Sequence, residues 1–172
     1  MQVERVVVRG GTADVETLAG QTIDVSALEL AGSLILDGAV ASVDLASLVG
    51  RASVDGTPYR VDLRGRGQLA PRDLHVVVDR MTVGGIASGG DLVVRGETGG
   101  KFEDLGFVMA LALPARGAAD LRGRLELAAD GLGIYSVDVQ GRNVDPAALV
   151  ATAPAGDLSL HVVANGKGIP LS

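Results

Sequence analysis

Residues 59–69 read YRVDLRGRGQL. Val61, Leu63 and Leu69 share one parity with Gly65 and Gly67, while Asp62, Arg64, Arg66 and Gln68 take the other. Successive side chains of a strand point to opposite faces, so the stretch reads as a strand with one apolar and one polar face. Residues 121–129 repeat the pattern: Leu121, Gly123, Leu125 and Leu127 alternate with Arg122, Arg124 and Glu126. Residues 157–168 do so again, aligning Leu158, Leu160, Val162, Ala164 and Gly166. In 105–113 the large Leu105, Phe107, Met109, Leu111 and Leu113 alternate with the smaller Gly106, Val108, Ala110 and Ala112. A strand of that kind can be covered on both sides.

Working outward, further strands are expected over 2–9, 21–30, 33–36, 74–83, 91–95 and 132–140. Turn signals separate them at Gly10-Gly11, Asp37-Gly38, Asp55-Gly56, Gly84-Gly85, Gly89-Gly90, Gly99-Gly100 and Asp130-Gly131. Asp-Gly accepts the positive φ of tight hairpins, so most neighbours should be antiparallel. Three short helical turns are expected. Asp145 precedes Pro146 at a first helical position, with Pro154 beyond the end. Residues 44–50 start on Asp44 and stop on Gly50, and 12–20 form a third candidate. The strand starts keep no fixed period, which argues against a short-coil β-helix. The reading is all-β: one extended, mostly antiparallel, twisted sheet, with no internal domain boundary over 1–172.

The chain has 172 residues, of which 47% are hydrophobic and only 2% aromatic. Aromatic rings normally fill the large volumes of packed cores, so Val, Leu, Ala and Ile here suit a smooth repetitive surface. Mean hydropathy is +0.34. The longest apolar run, Leu105 to Ala115, has eleven residues between Asp104 and Arg116, whereas a membrane-spanning helix needs about 20. Glu4, Arg5 and Arg9 interrupt any secretory signal at the start. The chain opens in a strand pattern and stops at Pro170-Leu171-Ser172 without a closing cap, so a fragment of a longer protein is expected. Net charge is −6 with both signs interspersed and no basic run, which points away from nucleic acid. Zero cysteines remove disulfides and thiol chemistry.

His75 and His161 sit in strand patterns and read as outward-facing polar residues, since a metal or catalytic role needs partners at defined spacing. Asn165-Gly166-Lys167-Gly168 and Arg64-Gly65-Arg66-Gly67 imitate parts of phosphate loops, but neither completes GxxxxGK[ST] nor GxGxxG before a helix, so no nucleotide is expected. No cofactor, metal or catalytic residue is assigned. A closed sandwich with a dry core would bury the same apolar stripe as an open surface; alternation does not separate the two. A structural or adhesive module remains the alternative.

Residues 141–172 read GRNVDPAALVATAPAGDLSLHVVANGKGIPLS. Val144 to Leu149, then Pro154, Gly156, Leu158, Ser159, Leu160, Gly166 and Gly168, resemble the turn, strand and close of the repeating unit of the TamB family, within the AsmA-like group. Residues 41–48 look like the same turn, and 119–125 like a family strand. The resemblance implies a periplasm-spanning sheet folded lengthwise into a U-shaped hydrophobic trough, the β-taco. It also implies anchoring in the inner membrane through a preceding segment, phospholipid movement to the outer membrane, and a TamA-type outer-membrane barrel as partner in outer-membrane biogenesis. Acyl chains would then line Leu63, Leu69, Val76, Val78, Leu92, Val94, Phe107, Met109, Leu111, Leu121, Leu125, Leu127, Val137, Val139, Leu158, Leu160 and Val162. The chemistry agrees: roughly 30 methylenes of a diacyl lipid would lose about 25 kcal/mol on entering water, so a path must keep them covered throughout.

Overall fold

A computed structural model describes residues 2–16, 22–54, 57–85, 90–127, 132–149 and 152–170. The strands are β1 (Gln2–Glu16), β2 (Thr22–Asp37), β3 (Val40–Val54), β4 (Thr57–Leu69), β5 (Asp73–Gly84), β6 (Leu92–Lys101), β7 (Asp104–Ala112), β8 (Ala118–Leu127), β9 (Leu132–Val144) and, after helix α1 (Pro146–Leu149), β10 (Leu158–Pro170). They form one ten-stranded sheet in the order β1 to β10. Every neighbouring pair is antiparallel.

The sheet is open and uncurled, with β1 and β10 as its two edges. The U-shaped cross-section implied by the resemblance is not among its features. Nor is a closed sandwich, because no second sheet is present among the described residues. The consequence is a near-absence of core: among the described residues the buried hydrophobic ones are Ala119, Val144 and Ala148. Accessible area is 10907 Å², against about 7,900 Å² for a compact monomer of this mass.

Register slips bend the meander at several places. In β2, Ala27 and Leu28 oppose the single residue Gly50, and Ala27 has φ 51°. Ala46 and Ser47 of β3 oppose Arg64 of β4, and Asp79 and Arg80 of β5 oppose Arg95 of β6. Each is a β-bulge: one extra residue, a local kink and a stronger twist. Pairing of β6 with β7, β7 with β8 and β8 with β9 is regular throughout.

These slips correct several sequence expectations. Residues 44–50 lie inside β3 and are not a helical turn. The Leu45-to-Leu48 spacing that imitates a helix is the bulge at Ala46-Ser47. An isolated helix this short is marginal in water, and here it would have no core to dock on, whereas the strand hydrogen-bonds to β2 and β4. By the same token, 41–48 are strand and not the family-like turn. Gly10-Gly11 is not a hairpin either: Arg9 and Gly10 bulge opposite Glu29 within β1, with Gly10 at φ 67°. Residues 22–30 and 33–36 are one strand, β2, and Gln21 lies outside the described residues. The turn expected at Gly99-Gly100 falls at Phe102-Glu103. Of the 12–20 candidate, 12–16 belong to β1 and 17–20 lie outside the described residues, as do the turns at 55–56 and 130–131.

Helix α1 covers Pro146–Leu149. Asp145 holds its start: the Ala147 amide donates to Asp145 Oδ1 at 3.2 Å, and the Gly156 amide donates to the same oxygen at 3.2 Å. Arg116 Nη2 donates to the Gly156 carbonyl at 3.3 Å, tying this connection to the β7–β8 loop. Pro114 in that loop is fully buried.

Candidate functional site

Cross-strand partners share a face, so the register maps the sheet's two sides residue by residue. One row runs Val6, Gly32, Leu45, Gly65, Val78, Gly96, Met109, Leu121, Val139, Val162 across all ten strands. A second runs Leu34, Val43, Gly67, Val76, Thr98, Phe107, Gly123, Val137, Ala164. A third runs Val8, Leu30, Leu48, Leu63, Met81, Val94, Leu111, Ala119, Gly141, Leu160. A fourth runs Leu36, Ala41, Leu69, Leu74, Gly100, Leu105, Leu125, Tyr135, Gly166. None of these positions is charged.

Every candidate lining residue falls on this face. Beyond the four rows, Leu92 pairs with Val83 and Leu158 with Val144. Leu127 takes its register place opposite Gly133, its side chain lying outside the described set. The sequence reading missed the β1–β3 contribution, and also Met81 and Val83 beyond the β5 bulge. The signal was available: apolar residues spaced three apart where a strand predicts two, as at Val78-Met81, Leu45-Leu48 and Val25-Leu28. Each such spacing marks a bulge that returns the next residue to the same face.

Glycines alternate with larger side chains along the first row because the backbones crowd there. A Cβ at Gly32, Gly65 or Gly96 would strike the carbonyl oxygen of Asp44, Val77 or Val108 on the next strand. They leave shallow relief in the surface. One depression is lined by Val43, Leu45, Leu63, Gly65, Arg66, Gly67, Val76, Val77 and Val78. From strand spacing the strip is about 43 Å long, and about 20 Å wide over the four rows.

The opposite face carries the charges, interspersed with aliphatics such as Val108, 48% exposed. Arg124 reaches Asp104 with two hydrogen bonds of 2.5 Å and Glu126 at 3.1 Å. Arg142 meets Asp120 at 2.7 Å and Arg66 meets Asp79 at 3.1 Å. The Arg124 guanidinium holds the Asp104 carboxyl below its usual range, and Asp104 raises Arg124 in turn. All these groups are solvent-exposed, where single ion pairs add little stability; their effect is to keep this side wet. His75 lies on this face with Nε2 3.9 Å from Glu97, and His161 with Nε2 3.0 Å from Asp138. Both phosphate-loop imitations are strand interior, in β4 and β10. Among the described residues no three His, Asp or Glu side chains cluster as a metal site requires, and no helix is long and apolar enough to cross a membrane.

No family model matches the chain, and no curated protein or solved structure matches it significantly.

Proposed function

We propose that this chain is a stretch of a periplasmic lipid conduit, carrying phospholipid acyl chains on its apolar face between the inner and outer membranes. The observation that carries the reading is that face: uncharged, continuous over ten strands, and backed by no second sheet among the described residues. Large exposed apolar surfaces mark contact with a partner or lipid. A lipid tail occupies about 15 Å, half the hydrocarbon core of a bilayer, so tails fit lengthwise along the rows with headgroups in water at the rim. Sliding along such a strip needs no polar pocket. Bulges and glycines are the features that let a sheet curve; in the working protein they let this sheet close into the U-shaped trough of TamB-like chains. The same resemblance supports an inner-membrane anchor and a TamA-type barrel as partner in outer-membrane biogenesis.

The test is native mass spectrometry with lipid extraction on protein purified from a Gram-negative periplasm. Phospholipid should accompany the wild type, be lost in Leu125→Arg and Met109→Asp, and be retained in the polar-face control Arg122→Glu. A wild-type protein that carries no lipid and binds no hydrophobic dye overturns the proposal.

A further inference from the structure

One row of the charged face sets like charges against each other. Arg64 of β4 pairs in register with Arg80 of β5, and the Asp79-Arg80 bulge lies opposite Arg95 of β6. Arginines of three consecutive strands therefore stand side by side, within about 10 Å at strand spacing. The net charge of the chain is −6, yet the carboxylates around this row are engaged elsewhere. Asp79 meets Arg66 at 3.1 Å, Glu97 lies 3.9 Å from His75, and Asp120 meets Arg142 at 2.7 Å. Asp62 reaches Arg64 only at 4.0 Å. Arg80 Nε donates to Thr82 Oγ1 at 3.3 Å. Among the described residues no carboxylate forms an ion pair with Arg80 or Arg95. Like charges directly opposite each other destabilise a sheet, so folding alone gives no reason for the row.

We infer that Arg80 and Arg95, with Arg64 beside them, bind the phosphate group of a phosphoester. A phosphomonoester carries nearly two negative charges and three acceptor oxygens, enough for more than one guanidinium, whereas a single arginine already occupies both oxygens of a carboxylate. The planar, permanently charged fork of arginine matches phosphate oxygens in pairs. The surroundings favour an ester over bare phosphate. Arg80 and Arg95 border a depression with Val93, Ala110, Leu111 and Ala112. By register Ala110 is opposite Arg95 and Ala112 opposite Val93, so Val93, Ala110 and Ala112 make an apolar floor beside the guanidinium groups on the charged face. Thr82, opposite Val93, adds a hydroxyl next to Arg80. The phosphate sits on the arginines and the carbon group of the ester on the floor. The site lies on the side of the sheet away from the apolar strip and does not depend on what that strip carries.

The probe is phenyl phosphate, with inorganic phosphate as its bare counterpart, titrated by calorimetry into the purified chain. Phenyl phosphate should bind saturably, one per chain, and more tightly than inorganic phosphate. Arg80→Gln and Arg95→Gln should each weaken it about tenfold or more, the loss of a charged hydrogen bond. Arg122→Gln removes the same charge from the same face, at a position opposite Asp138, and should leave binding unchanged. In phosphate-free buffer Arg95→Gln should melt no lower than the wild type, because it relieves a like-charge contact, and phenyl phosphate should raise the wild-type Tm. Vesicles then identify the source of the ester. Sedimentation of the wild type with phosphatidylglycerol but not phosphatidylcholine vesicles, lost in Arg95→Gln, makes it a lipid headgroup; sedimentation that Arg95→Gln leaves unchanged makes it a soluble phosphoester. The inference is overturned by the absence of saturable phenyl phosphate binding, by inorganic phosphate binding as tightly, or by an equal loss in Arg122→Gln. A lower Tm of Arg95→Gln without phosphate also overturns it, since the row would then be structural.

Discussion

Asp104 and Arg124 illustrate what one side chain does on an open sheet. They bind each other diagonally across β7 and β8, and the contact lowers the Asp104 pKa. A carboxylate whose folded pKa is depressed stabilises the fold above its unfolded pKa, and loses that contribution as pH falls through the folded value. An NMR titration of Asp104 should show Arg124→Gln returning it toward the ordinary carboxylate range near about 4. Acid unfolding of that variant should shift less between neutral pH and about pH 3 than the wild type's. Glycine acts by the space it leaves. Gly96→Val would drive its Cβ into the Val108 carbonyl and should cost about 1–3 kcal/mol, the usual penalty of overpacking, read from the urea midpoint. Gly106→Ala, whose added Cβ has only the Gly99 oxygen at 3.8 Å nearby, should cost less. Parity placed Gly106 in a strand, while Gly96 lies one residue beyond the strand expected over 91–95 and inside the longer β6. The crowding that separates them depends on how closely the next strand approaches, which sequence does not record.

Strands in this chain keep their apolar face through bulges. In β5 the face passes through Leu74, Val76 and Val78, slips at Asp79-Arg80, and resumes at Met81 and Val83. Deleting Asp79 should force a choice between losing the register with β4 and turning Met81 and Val83 to the charged side, since a one-residue slip inverts every side chain beyond it. The expected cost is about 2 kcal/mol or more, from misplacing two large apolar side chains, visible as a lower thermal midpoint and faster proteolysis. Helix α1 was legible because capping chemistry is local: Asp145, Pro146 and the Gly156 amide act within a short segment. Residues 44–50 misled for the same reason. Asp at one end and Gly at the other are equally compatible with a strand once β2 and β4 lie beside it.

As a whole, the molecule is a single layer, and its thermodynamics should show it. Unfolding heat capacity tracks the apolar area that folding removes from water, about 12–15 cal/mol/K per residue in compact proteins. With Ala119, Val144 and Ala148 as the buried hydrophobic set among its described residues, this chain should fall clearly below that range by calorimetry. Adding phospholipid or a mild detergent should raise its melting temperature in a concentration-dependent way, because only the folded sheet presents the strip. Leu125→Arg should abolish most of that shift.

The sequence alone determined that the chain is all-β, that its strands are amphipathic, and many of the residues on the apolar side from β4 onward, though not Met81 and Val83 beyond the β5 bulge. Alternation at period two is a local property, so it can be read without knowing which strand lies beside which. Only the tertiary structure decided that all ten strands form one sheet in sequential order, that the spacings of three are bulges rather than helical turns, and that no second sheet among the described residues packs over the apolar face. These depend on backbone hydrogen bonds between distant residues. The same alternating residues satisfy either a sandwich or a single layer until those bonds are made.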